Sequence, residues 1–368
     1  TAGNLAAGNV LTSLGAAGNT QIDLILAELN ASTSAAEVNE VLEAVQPTVD
    51  GGGFAGTLNV MSNTMDVTGM RLAALRSGNE TGMAAGNISN GVSMWAQGFG
   101  QSASQDLRDN IDGYDSDTYG VAVGIDTETI SSGTVGVAFS YGNTQVDSKN
   151  ANRTDTDVDS YQVTAYGDYD LSKQSYINGM VAYGRSTSDT IRHNVGGVSG
   201  LTASGSYDTD LYTVRAEAGR DYAFGGLSLT PNVMGHWTHF SPDSYTETGA
   251  GGANLSVDMD SMDIAELGVG LDASWLLKQN NGAMMEPGIG VGYRYDFIGD
   301  AVGATSNFTA GGAAFASQGP DPAQGTLDVG ASLKYYTTDN WEVTVNYDFE
   351  YKADYDAHSA YVRAAYNF

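Results

Sequence analysis

The stretch Trp341-Glu342-Val343-Thr344-Val345-Asn346-Tyr347-Asp348-Phe349-Glu350 alternates an apolar residue with a polar one along its whole length. Successive side chains of a β-strand point to opposite faces, so this run has one apolar face and one face that carries carboxylates. Working outward, the same period recurs in Tyr119/Val121/Val123/Ile125, in Val135/Val137/Phe139/Tyr141 and in Ala265/Leu267/Val269/Leu271. It ends the chain in Ala360/Val362/Ala364/Tyr366/Phe368. Twelve strands are predicted, at about 91–102, 116–128, 133–146, 157–170, 175–187, 207–224, 227–241, 261–277, 283–298, 326–337, 341–353 and 357–368.

Alternation alone also fits a soluble sandwich, and three further features separate the two. The predicted connections alternate between long (103–115, 147–156, 188–206, 242–260, 299–325) and short (129–132, 171–174, 225–226, 278–282, 338–340), with only 354–356 breaking the series. Barrels that span a bacterial outer membrane segregate long loops and short turns to opposite ends, whereas a sandwich has no cause to. Aromatic residues gather near strand ends. Tyr169, Tyr176, Tyr222, Phe224, Trp275, Tyr335 and Trp341 lie toward the short turns, and Tyr119, Tyr141, Tyr161, Trp237, Tyr293 and Phe297 toward the long loops. Two such girdles suit the two membrane–water interfaces. Finally, Asp126, Glu217, Asp272, Glu286, Asp348 and Arg363 all fall on the face opposite the apolar row. Burying them in a dry core would be prohibitive, while a wet lumen accommodates them. The fold class read from these features is an all-β transmembrane barrel of twelve antiparallel strands.

Composition narrows the function. The 368 residues hold 44 acidic and 15 basic side chains, a formal charge of −29. That excess excludes a nucleic-acid binder, which needs clustered cations to neutralise phosphates. No run of eighteen apolar residues exists, so no transmembrane helix is expected, and a barrel strand needs none. Cysteine is absent, which removes disulfides, thiol catalysis and cysteine-held metals. Thr1 opens no signal peptide; an exported chain would begin after its targeting sequence.

Residues 1–90 read as mostly helical. Ile22, Ile25, Leu26 and Leu29 share one helical face, and Ser34-Ala35-Ala36-Glu37 has capping-box spacing ahead of Val38, Val41, Leu42 and Val45. After Gly51-Gly52-Gly53, the stretch Leu58–Gly78 carries Leu58, Met61, Met65, Leu72 and Leu75 at helical spacing. As a helix it rises about 30 Å, the thickness of a bilayer core.

With these residues in view, the chain resembles the classical monomeric autotransporters of Gram-negative bacteria. Ser93-Met94-Trp95-Ala96-Gln97-Gly98-Phe99-Gly100 resembles the family's first strand, and Leu72-Ala73-Ala74-Leu75-Arg76-Ser77-Gly78 the end of the helix before it. Tyr361–Phe368 resembles an outer-membrane targeting strand, and twelve strands is the family's number. The resemblance implies a translocator in the bacterial outer membrane, through which an N-terminal passenger crosses to the cell surface, leaving a helix in the pore. It also implies three parts: 1–56, a helical remnant of the passenger or linker region; 57–90, the pore helix and linker; and 91–368, the barrel. The implied partners are the passenger in cis, outer-membrane lipid and lipopolysaccharide, the β-barrel assembly machinery and periplasmic chaperones. A monomer without cofactor is implied, with Val362, Ala364, Tyr366 and Phe368 as the assembly signal.

Arg71 and Arg76 on the pore helix are expected to pair with lumen carboxylates such as Asp126, Asp272 or Asp348, although cations also favour a helix C-terminus without partners. Asp155, Asp157 and Asp159 form a D-x-D-x-D run, with Asp112, Asp115 and Asp117 nearby. Ser160 stands where a calcium loop wants glycine, so a solvated acidic rim is the better reading and no metal is expected. Some relatives cleave themselves by attack of a pore-helix Asn on its own backbone. Asn59 and Asn63 lie here, without the Asn-Asn pair typical of those relatives. No nucleophile motif, H-E-x-x-H or phosphate loop is present. His236 and His239 are three apart on a strand and face opposite sides. The chain is read as non-enzymatic. The rival reading is a stand-alone, cation-preferring channel or surface-recognition barrel with a helical plug.

Overall fold

The computed structural model describes residues 2–15, 18–76, 92–129, 133–280, 282–337 and 341–366. Four helices come first: α1 (Ala2–Leu14), α2 (Thr20–Ala31), α3 (Ala35–Glu43) and α4 (Gly52–Arg76). Twelve long strands follow: β1 (Val92–Gln105), β2 (Tyr114–Thr129), β3 (Gly133–Ser148), β4 (Asp155–Asp170), β5 (Ser175–Arg192) and β6 (Ala203–Arg220), then β7 (Leu227–Pro242), β8 (Met262–Trp275), β9 (Met284–Asp296), β10 (Gly325–Tyr336), β11 (Trp341–Lys352) and β12 (Tyr355–Tyr366).

Each strand pairs antiparallel with the next, and β12 returns to β1 from Gly98↔Val362 to Gln105↔Tyr355, so the sheet closes into a barrel. Closure satisfies backbone groups that an open edge would leave bare in lipid. Outward-facing Tyr119, Val121, Val123 and Ile125 are exposed, as are Val135, Val137 and Phe139, while Ala122 and Ala138 between them are buried. A continuous exposed apolar belt of this kind has a place only against lipid.

Strands β1–β6 and β12 reach two to five residues farther toward the long loops than predicted, because apolar alternation stops at the membrane surface while hydrogen-bonded pairing continues beyond it; β8, β9 and β11 end one or two residues short of the predicted limit. The two-residue link Ala353-Asp354 explains the one short connection at the loop end. Asp354 adopts φ +62°, which an Asp tolerates better than most side chains. Tyr176, predicted in the turn-end girdle, points into the lumen and is 3% exposed. Tyr169, Phe224 and Trp341 at that end are exposed outward.

The long loops 243–261 and 297–324 carry structure that the sequence reading left out. Tyr245–Thr246, Leu255–Met259, Gly303–Phe308 and Gly311–Gln318 form a four-stranded antiparallel sheet over the loop end. Helices α1, α2 and α3 lie on that sheet and form a cap. Ala7, Leu11, Ile22, Ile25 and Val45 share one apolar core with Leu255, Phe308 and Phe315. Helix α2 starts at Asn19, whose side chain accepts from the Gln21 and Ile22 amides. At α3, Ser34 Oγ accepts from the Glu37 amide at 3.2 Å, but the Glu37 carboxylate turns back to the Thr33 amide at 2.6 Å. These bonds satisfy first-turn donors that have no partner within the helix.

The cap is tied to the barrel by a buried fork. Arg192, at the top of β5, donates to Glu247 at 2.7 and 2.6 Å and to the carbonyls of Ala44 and Gln46 at the end of α3. Both side chains are at most 2% exposed. One guanidinium therefore joins barrel wall, loop and cap helix, and brings positive charge to carbonyls just past the C-terminus of α3.

Candidate functional site

Helix α4 enters at the loop end, runs down the lumen and ends near the short turns. Its 25 residues rise about 37 Å, enough to cross the barrel. The helix begins at Gly52 rather than near Leu58 and is described as far as Arg76, and so crosses the expected boundary between residues 56 and 57. Asp50 starts it, accepting from the Gly52 amide at 2.8 Å and from Ser148 Oγ at 2.5 Å. Burial pushes the Asp50 carboxyl up to about 6, with those two bonds only partly opposing the shift.

The helix is off centre and lies against β1–β5. Glycines permit the close approach: a Cβ on Gly52 would meet Val146 at 2.6 Å, and one on Gly56 would meet Val146 and Val158 at 3.1 Å. The contact is small and polar. Thr144 Oγ1 donates to the Gly56 carbonyl at 3.1 Å, and Thr64 Oγ1 to Ser140 Oγ at 2.9 Å. Asn63 donates to Gln101 and accepts from Tyr361 Oη at 2.9 Å; Asn59 reaches Ser116 and Thr118. Both asparagines are thus engaged with the wall.

Of the apolar helix residues picked out by spacing, Met61, Met65 and Leu72 are buried in the apolar cluster of the lumen. Leu75 packs at its margin, and Leu58 is half-buried outside it. Arg71 makes a bidentate contact with Asp126 on β2, Nε to Oδ2 at 2.9 Å and Nη2 to Oδ1 at 2.8 Å, both side chains at most 2% exposed. Tyr166 also donates to Asp126 Oδ2 at 3.0 Å and accepts from Trp95 Nε1 at 2.6 Å. Parallel charge-assisted bonds of this kind fix orientation as well as supply energy. Among the described residues Arg76 forms no such pair; its guanidinium lies 3.6 Å from the Tyr176 ring centroid.

The remaining expected lumen carboxylates are scattered around the wall. Glu217 accepts from Tyr176 at 2.8 Å, Asp272 from Asn232 at 2.9 Å, and Glu286 lies 3.5 Å from Lys334. Asp348 faces Gly330 across the β10–β11 pair. Of the wall arginines among them, the sequence pattern was read for Arg363 but not for Arg215 and Arg294. Arg215 binds Asp66 of α4 at 2.7 Å, and Arg294 holds Asp328, Glu266 and Glu350 at 2.9, 3.2 and 2.5 Å. Arg363 binds Glu342. The lumen is a mixed-charge surface rather than a purely acidic one. Strand parity would have found Arg215 and Arg294, since they alternate with Val214, Tyr293 and Tyr295 just as Asp272 does with Leu271.

At the rim, Asp157 and Asp159 accept from Asn143, and Asp155 faces His193 at 2.9 Å. No cluster with metal-ligand geometry occurs among the described residues. His236 turns inward to Glu266 and His239 pairs with Asp263. At the last strand, Val362 is exposed on the lipid side and Ala364 shares that side. The side chain of Tyr366 and all of Phe368 lie outside the described residues.

A closed twelve-stranded barrel with a helix through it can be compared with known proteins. Residues 94–348 match the family model described as autotransporter beta-domain. The chain belongs to the autotransporter family. Among curated proteins it is similar to outer membrane protein B of Rickettsia prowazekii (strain Madrid E), 28% identical over 346 residues, covering 91% of this chain and 21% of that protein. An extracellular serine protease of Serratia marcescens is 27% identical over 183 residues, covering 49% of this chain and 17% of the protease. The chain thus spans about a fifth of the length of these curated relatives. Its fold is that of the translocator domain of autotransporter NalP from Neisseria meningitidis (TM-score 0.62, 18% identity, 86% of this chain and 99% of that one). The transport unit of the autotransporter AIDA-I from Escherichia coli is similar as well (TM-score 0.60, 13% identity, 88% and 100%). This autotransporter barrel resides in the outer membrane.

Proposed function

We propose that the chain is the translocator of a longer surface protein: the barrel inserts in the outer membrane, and a passenger ahead of Thr1 is exported and held outside by α4. The observation that carries this reading is the course of α4. It links a folded cap at the loop end to the lumen and to the wall that follows, so anything attached before α1 is tethered through the barrel. In this reading residues 1–51 are a surface-exposed junction, 52–91 the pore helix and linker, and 92–368 the translocator. Met61, Met65 and Leu72 seat the helix, and Arg71 on Asp126 sets its depth. Val362, Ala364, Tyr366 and Phe368 serve as the signal read by the assembly machinery after periplasmic chaperones deliver the chain. The barrel works as a monomer against lipopolysaccharide and lipid, and no catalytic step is assigned to it.

The test is a reporter fused ahead of Thr1 together with an epitope at Ser199 or at Lys173. On intact cells the reporter and the Ser199 epitope become protease-accessible, and the Lys173 epitope does not. A barrel that assembles while its reporter stays in the periplasm would overturn the proposal. Removing Phe368 is expected to lower barrel yield in cells more than refolding in detergent, because one terminal ring buries only about 2–3 kcal/mol.

A further inference from the structure

Helix α4 does not fill the barrel. Lumen-facing Thr118, Ser140, Thr164 and Met180, on the strands it leans against, are buried. Across the lumen, Arg215, Arg294 and Asp328 are 20–36% exposed, Asp66 on the far side of the helix is 40% exposed, and Asp272 is open to solvent. Among the described residues, the side chains beside the helix along β6–β11 are therefore open to solvent.

That wet strip stops at an apolar layer. Along the paired strands β7 and β8 the inward side chains change, toward the loop end, from Thr230 and Asp272 through His236 and Glu266 to Phe240 and Met262. Phe240 is 2% exposed and Met262 5%. Phe54, in the first turn of α4, meets Phe240 edge-on at 4.9 Å, and Val302 from the 297–324 loop closes the same cluster. Above this layer the surroundings turn polar again, with Thr48, Asp50, Ser148 and Arg192 around a cavity under the cap.

We infer that Phe54, Phe240, Met262 and Val302 form a hydrophobic gate that closes a water-filled side channel, and that small cations are the species it holds back. An apolar constriction above a solvated strip stops ions because water leaves it, and an ion cannot cross without its hydration. The lining favours cations because Glu217, Asp272 and Asp348 have no ion-pair partner among the described residues, whereas Arg215 and Arg294 are bound to carboxylates. On the β6–β11 side the first barrier met from the short-turn end is therefore this layer rather than the bulk of the helix. It does not depend on passenger export.

Planar bilayers holding the full chain test the gate. The parent should show no resolved current steps. Phe54→Ala with Phe240→Ala should give steps whose reversal potential in a potassium chloride gradient favours potassium, and Asp272→Asn with Asp348→Asn should weaken that preference. The chain has no cysteine, so Asn232→Cys adds a single thiol in the channel, and a bulky thiol reagent should block the steps. Met262→Gln with Val302→Thr wets the layer at nearly constant volume and should act in the same direction if the alanine pair fails to fold. Heat-modifiable migration shows that each barrel is assembled. Frequent steps in the parent, silence in an assembled gate variant, or current indifferent to the blocked thiol would each overturn the gate.

Discussion

The two sides of the lumen carry similar chemistry in different surroundings. On the side of β1–β5, Arg71 and Asp126 are shut away with the helix against them. On the side of β8–β11, Arg294 shares Glu266, Asp328 and Glu350 in a strip that solvent reaches. An ion pair's role therefore follows from its access to water. A desolvated pair is costly to make and more costly to break by halves, while a wet cluster mainly adjusts the local field. The helix belongs to the first side and an ion path to the second.

The largest effect should come from breaking the dry pair. Asp126→Ala strands Arg71 and should cost about 3–5 kcal/mol, read as a lower denaturant midpoint and as protease access to α4. Arg71→Met with Asp126→Leu removes both charges and should cost clearly less than either half alone. Equal losses would mean that the pair is no more sensitive than its wet counterpart.

Next comes Asp50, also on the dry side. Its folded carboxyl titrates near 6 against an ordinary 3.8, so the folded state keeps its proton while the unfolded chain ionises. Stability from this group is present below pH 4 and lost as pH rises toward 6, by up to about 3 kcal/mol. The difference between parent and Asp50→Asn in pH-dependent melting should show that slope and sign. A difference that is flat with pH would place Asp50 in water.

Smaller still is the wet cluster. Arg294→Met should cost about 1–2 kcal/mol once solvent screening is allowed for, and less at high salt. A salt-independent loss as large as that of Asp126→Ala would erase the contrast between the sides. Smallest is the rim pair Lys149–Asp115, with side chains 35% and 60% exposed. Lys149→Met should shift the melting midpoint by no more than about a few tenths of a kcal/mol.

Much of this was legible beforehand because lipid imposes a strict period. Leu267, Val269 and Leu271 had to face hydrocarbon, and so Glu266 and Asp272 had to face the lumen; no other arrangement tolerates both rows. The same rule governs Arg215 and Arg294, which were overlooked rather than hidden. Tyr176, an aromatic at a strand end, suits a girdle as well as a lumen wall; its parity against the lipid-facing Ile177, Val181 and Tyr183 places it inside, where it meets Arg76 and Glu217. Helix α1 has its signal in Ala7, Val10, Leu11 and Leu14 at helical spacing, masked by Gly3, Gly8, Asn4 and Asn9, which are weak helix formers.

Local pattern set the wall: strand number, the alternation of faces along each strand, which connections are long, and that a helix precedes the first strand. Those follow from local period and from a solvent that accepts only one kind of surface. Tertiary structure alone decided where α4 leans, which carboxylate Arg71 takes, and that the long loops and first helices make one cap. Such choices rest on non-local packing. Gly52 and Gly56 fit Val146, Phe54 meets Phe240, and Leu11 shares a core with Phe308. Residues that far apart in the chain have no common period to announce that they will meet.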